Sequence, residues 1–168
     1  MQNLILVDTD NRKLGVMPRQ EAHASPGTLH RAFSIYIFRK NGTELLIQKR
    51  SGKKLFAGLW ANSCCSHPRE GEEITDVAPR RLQEELGFTC ALTPVGEFVY
   101  QAEDPDGKGA EHEHVTVFRG DVKDDVTVKA NPDEVAEWKW IPVKDLRDDM
   151  KNHPDNYAPW FHIGIQKT

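Results

Sequence analysis

Apolar positions along the chain fall mostly into short runs, broken once by a longer stretch with a helical period. Leu4-Ile5-Leu6-Val7, closed by Asp8-Thr9-Asp10-Asn11, predicts a strand entering a turn. Residues 13–21 are polar and read as a connection. Pro26-Gly27 breaks any helix nearby, which leaves His23 on a loop and His30 at the start of the next strand. Residues 32–39 are β-branched and aromatic, and Asn41-Gly42 turns them back into residues 44–50 as a hairpin. Ile74, Val77, Ala78, Leu82 and Leu86 then recur at helical spacing, with Gly87 placed as a C-cap. Pro79 inside that run predicts a kink or a shortened helix. Further strands are expected at 95–101, 114–120 and 138–141, with a turn at Asp104-Pro105-Asp106-Gly107. A short helix is expected at 142–146, and an aromatic cluster holding Trp160-Phe161 at 157–165. Mixed strands with one strong central helix predict an α/β or α+β fold. With no internal repeat or low-complexity linker, residues 1–168 read as one domain.

Composition narrows the class. The chain is long enough to bury a core without disulfides. A net charge of −4 with 29% charged residues describes a mildly acidic, soluble protein without the clustered Lys and Arg of a nucleic-acid surface. No apolar run approaches the ~20 residues of a membrane helix, and the N-terminus lacks a basic leader. Three cysteines, two of them adjacent, make a poor disulfide framework and point to a reducing cytoplasm.

The chemistry-bearing residues centre on Ala61-Asn62-Ser63-Cys64-Cys65-Ser66-His67-Pro68, where a thiol precedes an imidazole by two positions. Cys64 and Cys90 read as small buried hydrophobes, whereas Cys65 sits in a polar turn that can tune its acidity. His23, His30 and His67, with Glu111 and Glu113, suggest a divalent metal site. On a strand the two glutamates point to one side, and His112 and His114 to the other. Imidazole with carboxylate suits Zn, Mn, Fe or Mg, although the spacing alone also fits scattered hydrogen-bonded histidines. Glu72, Arg80, Arg81, Glu84 and Glu85 along the helix can hold Mg2+ on a diphosphate, or form an ordinary solvated face. Lys49, Arg50, Lys53 and Lys54 can clamp phosphate oxygens, or solvate a hairpin end.

Together these residues resemble the type 1 isopentenyl diphosphate isomerases of the Nudix superfamily, over residues 23–160. Asn62-Ser63-Cys64-Cys65-Ser66-His67-Pro68 looks like that family's Asn-Ser-x-Cys-x-His-Pro signature, Glu111-His112-Glu113 like its Glu-x-Glu strand, and His23 with His30 like its upstream histidine pair. The helix is similar to a degenerate Nudix box: Glu72, Arg80, Leu82, Glu84, Glu85 and Gly87 fit the pattern. Ser66 replaces its first glycine, and Arg81 stands where the hydrolases carry a glutamate. The basic loop looks about one residue shorter than the family's, which leaves open the lysine that reaches the phosphate.

The resemblance implies a Nudix-like mixed β-sheet sandwiched by helices. It implies reversible 1,3-allylic isomerisation of isopentenyl to dimethylallyl diphosphate through a carbocation, a step of isoprenoid biosynthesis. Cys65 would handle the proton on one face, Glu113 assisted by Tyr100 on the other, and Trp160 would wall the cation. His23, His30, His67, Glu111 and Glu113 would hold one Mn2+, Zn2+ or Mg2+. Glu85 would hold a second ion, Mg2+, on a diphosphate gripped by Arg19, Arg50, Lys53 and Arg81. The expected partner is this small molecule, with neither nucleic acid nor membrane, in a cytoplasmic monomer or homodimer. Two other readings are a Nudix hydrolase of a nucleoside or other diphosphate, which Arg81 disfavours, and a non-catalytic metal-binding or ligand-sensing domain.

Overall fold

A computed structural model describes residues 2–168. In chain order the elements are β1 (Asn3–Val7), β2 (Lys13–Pro18), α1 (Arg19–Ala22), β3 (His30–Arg39), β4 (Glu44–Arg50), β5 (Trp60–Ala61), β6 (Cys64–Ser66) and α2 (Ile74–Leu86). They continue with β7 (Thr93–Glu103), β8 (Ala110–Asp121), β9 (Val135–Pro142), α3 (Val143–Asn152), a 3-10 turn (Pro154–Asn156) and α4 (Pro159–Gly164). No helix among the described residues is long and apolar enough to cross a membrane.

β3 is the spine of one mixed sheet. It runs parallel to β8 from His30↔Glu113 to Phe38↔Asp121, and β7 closes that side antiparallel to β8. On its other side β3 meets three strands in succession: β1 at His30, β6 from Phe33 to Ile35, and β4 at Phe38 and Arg39. β3 and β4 therefore part beyond their shared turn, and β6 pairs with β3 at Phe33, Ser34 and Ile35. This puts Cys65 opposite Ser34 in register.

Both faces of β3 are buried, which explains its near-continuous apolar run. Phe33, Ile35 and Ile37 join Leu46, Phe118 and the Val77, Ala78, Leu82 and Leu86 stripe of α2. Ala32, Tyr36 and Phe38 join Ile47, Phe56 and Val115, with Leu146 of α3 and Trp160 and Phe161 of α4. The expected mixed sheet between helices is present, and the architecture is α+β.

Four local expectations are corrected. Residues 13–21 are not a mere connection: β2 pairs with β1 from Pro18 to Lys13, and α1 follows. The strand is an edge with both faces wet, Leu14 being 70% exposed, so ladder hydrogen bonds sustain it rather than an apolar stripe. Pro79 does not break α2. The carbonyl it cannot satisfy belongs to Thr75, which is exposed and can turn to water. The turn expected around Cys65 includes the short strands β5 and β6. The strand expected for Glu111 and Glu113 and the one expected at 114–120 are a single strand, β8.

Gly87 ends α2 at φ 77°, and a Cβ there would lie 2.8 Å from the Lys129 carbonyl oxygen. Gly107 has a similar φ of 71° but open space around it. Gly107→Ala should therefore cost only the left-handed strain, about 1–2 kcal/mol. Gly87→Ala should cost clearly more, as read from the midpoint of urea unfolding for the two variants.

Candidate active site

The β3–β8 register sets His30 beside Glu113, and the β7–β8 register sets Tyr100 opposite Glu113 and Ala102 opposite Glu111. The last turn of α1 delivers His23, whose backbone N–H and ring Nδ1 both bond to the Arg19 carbonyl, at 3.1 and 2.9 Å. His30 Nδ1 likewise lies 2.7 Å from the Thr28 carbonyl. A carbonyl only accepts, so both rings carry their hydrogen on Nδ1 and, when neutral, turn a bare Nε2 inward. There His23 Nε2 lies 2.9 Å from Glu111 Oε2, and neither buried atom has a hydrogen-bond partner. His30 Nε2 lies 3.2 Å from His67 Nε2, which is 2.7 Å from Glu113 Oε1.

His23, His30, His67 and Glu111 each offer one ligand atom, all within 4.8 Å of one another. A buried knot of lone pairs and carboxylate oxygens with too few hydrogens is the environment of a divalent cation, and these donors suit one. The Nδ1-to-carbonyl bonds supply the outer support that fixes ligand rings. Burial drives His67 down to about 3 despite Glu113 beside it, so this imidazole stands neutral, as a ligand must. Burial alone would push Glu113 up, but the His67 and His30 rings beside it, at 2.7 and 3.6 Å, outweigh it and hold the carboxyl well below its usual range. Glu111 is raised, by burial first and by the charge of Glu113 second.

Across the cavity, Cys65 Sγ lies 3.1 Å from Asn62 Oδ1 and 3.4 Å from Ser34 Oγ. Burial pushes this thiol up to about 11, against the Ser34 hydrogen bond and the charge of Arg50. Tyr100 donates to Glu113 Oε2 at 2.7 Å. Trp160 packs edge-on to Phe56 at 5.3 Å and stands 5.8 Å from Tyr100, with the Arg50 guanidinium 4.9 Å from its ring. Cys65, Tyr100, Glu111, Glu113 and Trp160 thus line one cavity, together with Arg19, Arg50, Lys54, Arg69, Arg80 and Arg81.

Arg81 bonds to Ser66 Oγ at 3.0 Å, Glu85 at 2.8 Å and Glu134 at 3.1 Å, and pairs with Glu84. Lys54 pairs with Glu134 at 2.5 Å. Burial works against Glu134, yet Lys54 and Arg81 together hold it down to about 2.

Two expected residues lie outside the cavity lining. Lys53 reaches Asp133 instead, with its side chain 71% exposed and outside the cavity, while its neighbour Lys54 is 12% exposed and lines it. Adjacent lysines on an irregular loop carry no period that separates the inward from the outward one. Glu85 is fully buried beneath the lining, held by Gln48 at 3.1 Å and by Arg81. Ser34, Glu134 and Arg69 were not among the expected site residues. Asn62 was seen only as part of the signature, and Ser34 is masked by the apolar run around it.

A family model, the NUDIX domain, matches residues 28–161. An isopentenyl-diphosphate Delta-isomerase of Halorhodospira halophila is 40% identical over 168 residues, covering 99% of this chain and 95% of the relative. Another, of Burkholderia multivorans, is 43% identical over 167 residues, covering 99% and 93%. A Deinococcus radiodurans protein of known structure superposes with a TM-score of 0.77 at 18% identity, covering 99% of both chains, a likeness of fold alone.

All three thiols are raised by burial: Cys65 and Cys90 to about 11, Cys64 further. At pH 9.0, an ordinary thiol's midpoint, the metal-free native protein should show almost no ultraviolet thiolate absorbance, and its guanidinium-unfolded form about half of the full signal. The unfolded thiols ionise first, so conformational stability should fall as pH rises from 9 towards 11.

Proposed function

Because the chain belongs to the Nudix family and, within it, to the isopentenyl-diphosphate Delta-isomerases, we propose that its cavity catalyses the reversible 1,3-allylic isomerisation of isopentenyl to dimethylallyl diphosphate. One observation carries the assignment of roles. A thiol and a tyrosine-supported carboxylate line the same cavity, and cations gather along it: Arg19, Arg50, Lys54 and Arg81.

An unactivated alkene reacts only after protonation. The Cys65 S–H bond breaks as its proton joins C4, the π pair becomes the new C4–H bond, and C3 takes the positive charge while sulfur keeps its pair. Glu113 then takes a proton from C2, whose C–H pair becomes the C2=C3 bond. A site of this kind needs one proton-handling group for each step, and burial keeps Cys65 in its acid form while Glu113 stays ionised. The Tyr100 hydroxyl fixes the Glu113 carboxylate. Trp160 is 3% exposed and excludes water from the cation, with cation–π attraction worth up to ~2 kcal/mol in a desolvated setting.

A Mn2+, Zn2+ or Mg2+ held by His23, His30, His67 and Glu111, with Glu113 beside them, would supply Lewis acidity and hold Glu113 in orientation. Mg2+ at Glu85 would neutralise diphosphate charge once Arg81 has turned from Glu85 to the substrate. Arg81 itself carries no acceptor with which to hold an attacking water, which supports retention of the P–O–P bond. A cytoplasmic single domain over residues 1–168, acting as monomer or homodimer on this small molecule without nucleic acid or membrane, completes the reading.

Purified protein given Mg2+ and isopentenyl diphosphate in D2O should yield the allylic isomer with deuterium in its new methyl group, followed by proton NMR. Cys65→Ala and Glu113→Gln should each abolish turnover while still binding inorganic pyrophosphate; near-normal rates in either variant would remove that residue from the mechanism. Trp160→Ala should lower kcat more than it raises KM, since the cation is transient. Zn2+ or Mn2+ should raise the melting temperature of the metal-free protein, and raise that of Glu111→Gln distinctly less.

A further inference from the structure

Asn62 is fully buried, and its Nδ2 donates to the Ile35 and Cys64 carbonyls, each at 3.0 Å. Those two acceptors fix which end of the amide is nitrogen. Oδ1 is then the atom facing Cys65 Sγ and Trp160 Nε1, both at 3.1 Å. An amide oxygen donates nothing, so the thiol hydrogen must point to it. The remaining hydrogen-bond partner of the sulfur among the described residues is Ser34 Oγ, 3.4 Å away and directly opposite Cys65 in the β3–β6 ladder. With the S–H already committed, the serine hydroxyl is the donor and the sulfur its acceptor. Ser34 is 2% exposed and makes no other side-chain hydrogen bond among the described residues. Packing alone does not call for a hydroxyl within Ala32-Phe33-Ser34-Ile35-Tyr36-Ile37-Phe38.

We propose that Ser34 is a positioning residue of the isomerisation, whose hydroxyl holds the Cys65 sulfur and strengthens its bond as that sulfur becomes anionic. The inference rests on the reading of Cys65 as the proton donor. When the S–H bond breaks and its proton joins the alkene carbon, sulfur retains the pair. Asn62 Oδ1, until then an acceptor of the thiol hydrogen, faces an anion it cannot stabilise. The Ser34 O–H then carries the new charge, and a hydrogen bond to a charged acceptor is about twice as strong as a neutral one. In the reverse direction the same bond holds the thiolate ready for the returning proton.

The test uses the full chain with its metals and isopentenyl diphosphate. Ser34→Ala should lower kcat about tenfold to a hundredfold at unchanged KM, while Ser34→Thr, which keeps the hydroxyl, recovers most of the rate. In Raman difference spectra against Cys65→Ala, the Cys65 S–H stretch should lie below that of Cys64, whose sulfur makes no hydrogen bond among the described residues, and move up in Ser34→Ala. A folded Ser34→Ala that binds pyrophosphate and turns over at the wild-type rate overturns the inference. So does an equal loss in the Ala and Thr variants with an unmoved band. A wild-type Cys65 band at or above that of Cys64 overturns it even if neither variant folds. Activity surviving Cys65→Ala removes the premise instead; activity lost in Cys65→Ala but undiminished in Ser34→Ala removes this inference alone.

Discussion

The parallel ladder between β3 and β8 is the constraint on which the site depends. It holds His30 against Glu113 at one end, and along the same strands it carries the central core residues Ile35, Val117 and Phe118. Side chains on a strand alternate in direction, so a slip of one residue would turn Glu111 and Glu113 out of the cavity and bring His112 and His114 in. The slip would also expose Val115 and Val117 to the wrong layer. A ladder of nine pairs, its middle packed by residues such as Ala32, Val115, Ile35 and Phe118, therefore secures the geometry of a polar cluster that contributes little packing of its own.

That cluster is an electrostatic liability kept in balance. Glu111 and Glu113 are buried beside three imidazoles, and Glu85 is buried beneath Arg81 and Lys54. An uncompensated charge in such surroundings costs several kcal/mol, so each carboxylate has to find cationic or donor partners within the fold. Along the cationic side of the cavity they come from within: Arg81 serves Glu84, Glu85 and Glu134 at once, and Lys54 closes the ring. At the histidine end Glu113 has Tyr100 and His67, but the bare Nε2 of His23 facing the bare Oε2 of Glu111 is left without a donor. The two ends are thus complementary, one self-neutralised by guanidinium and ammonium, the other built of donors that suit a divalent cation.

What could be read in advance follows from where the physics is periodic. The α2 stripe, the β3–β4 hairpin and the shared face of Glu111 and Glu113 all obey a repeat, and all appear where the repeat puts them. The signature around Cys65 was readable as a motif, but its local structure was not, since β6 is three residues long and exists only because β3 and β4 diverge. β2 reads weakly because its alternating Leu14 and Val16 stay exposed on an edge and are broken up by Gly15 and Pro18. Lys53 and Lys54 were indistinguishable because a loop has no period. Ser34 was hidden for the opposite reason: a strong apolar pattern surrounds it, and only the third dimension sets Cys65 opposite it.

The four-residue helix α1 joins two tasks. Arg19 lines the cavity with its guanidinium, while its carbonyl oxygen accepts both the backbone N–H and the ring of His23. One residue therefore lines the cavity through its side chain and aims an imidazole through its main chain. A pull on either end travels the length of a single peptide unit to reach the other. Were an anion to pair with that guanidinium, whatever factor it imposed on an ion's hold at His23 would be returned in equal measure, with a four-residue α-helix as the lever between them.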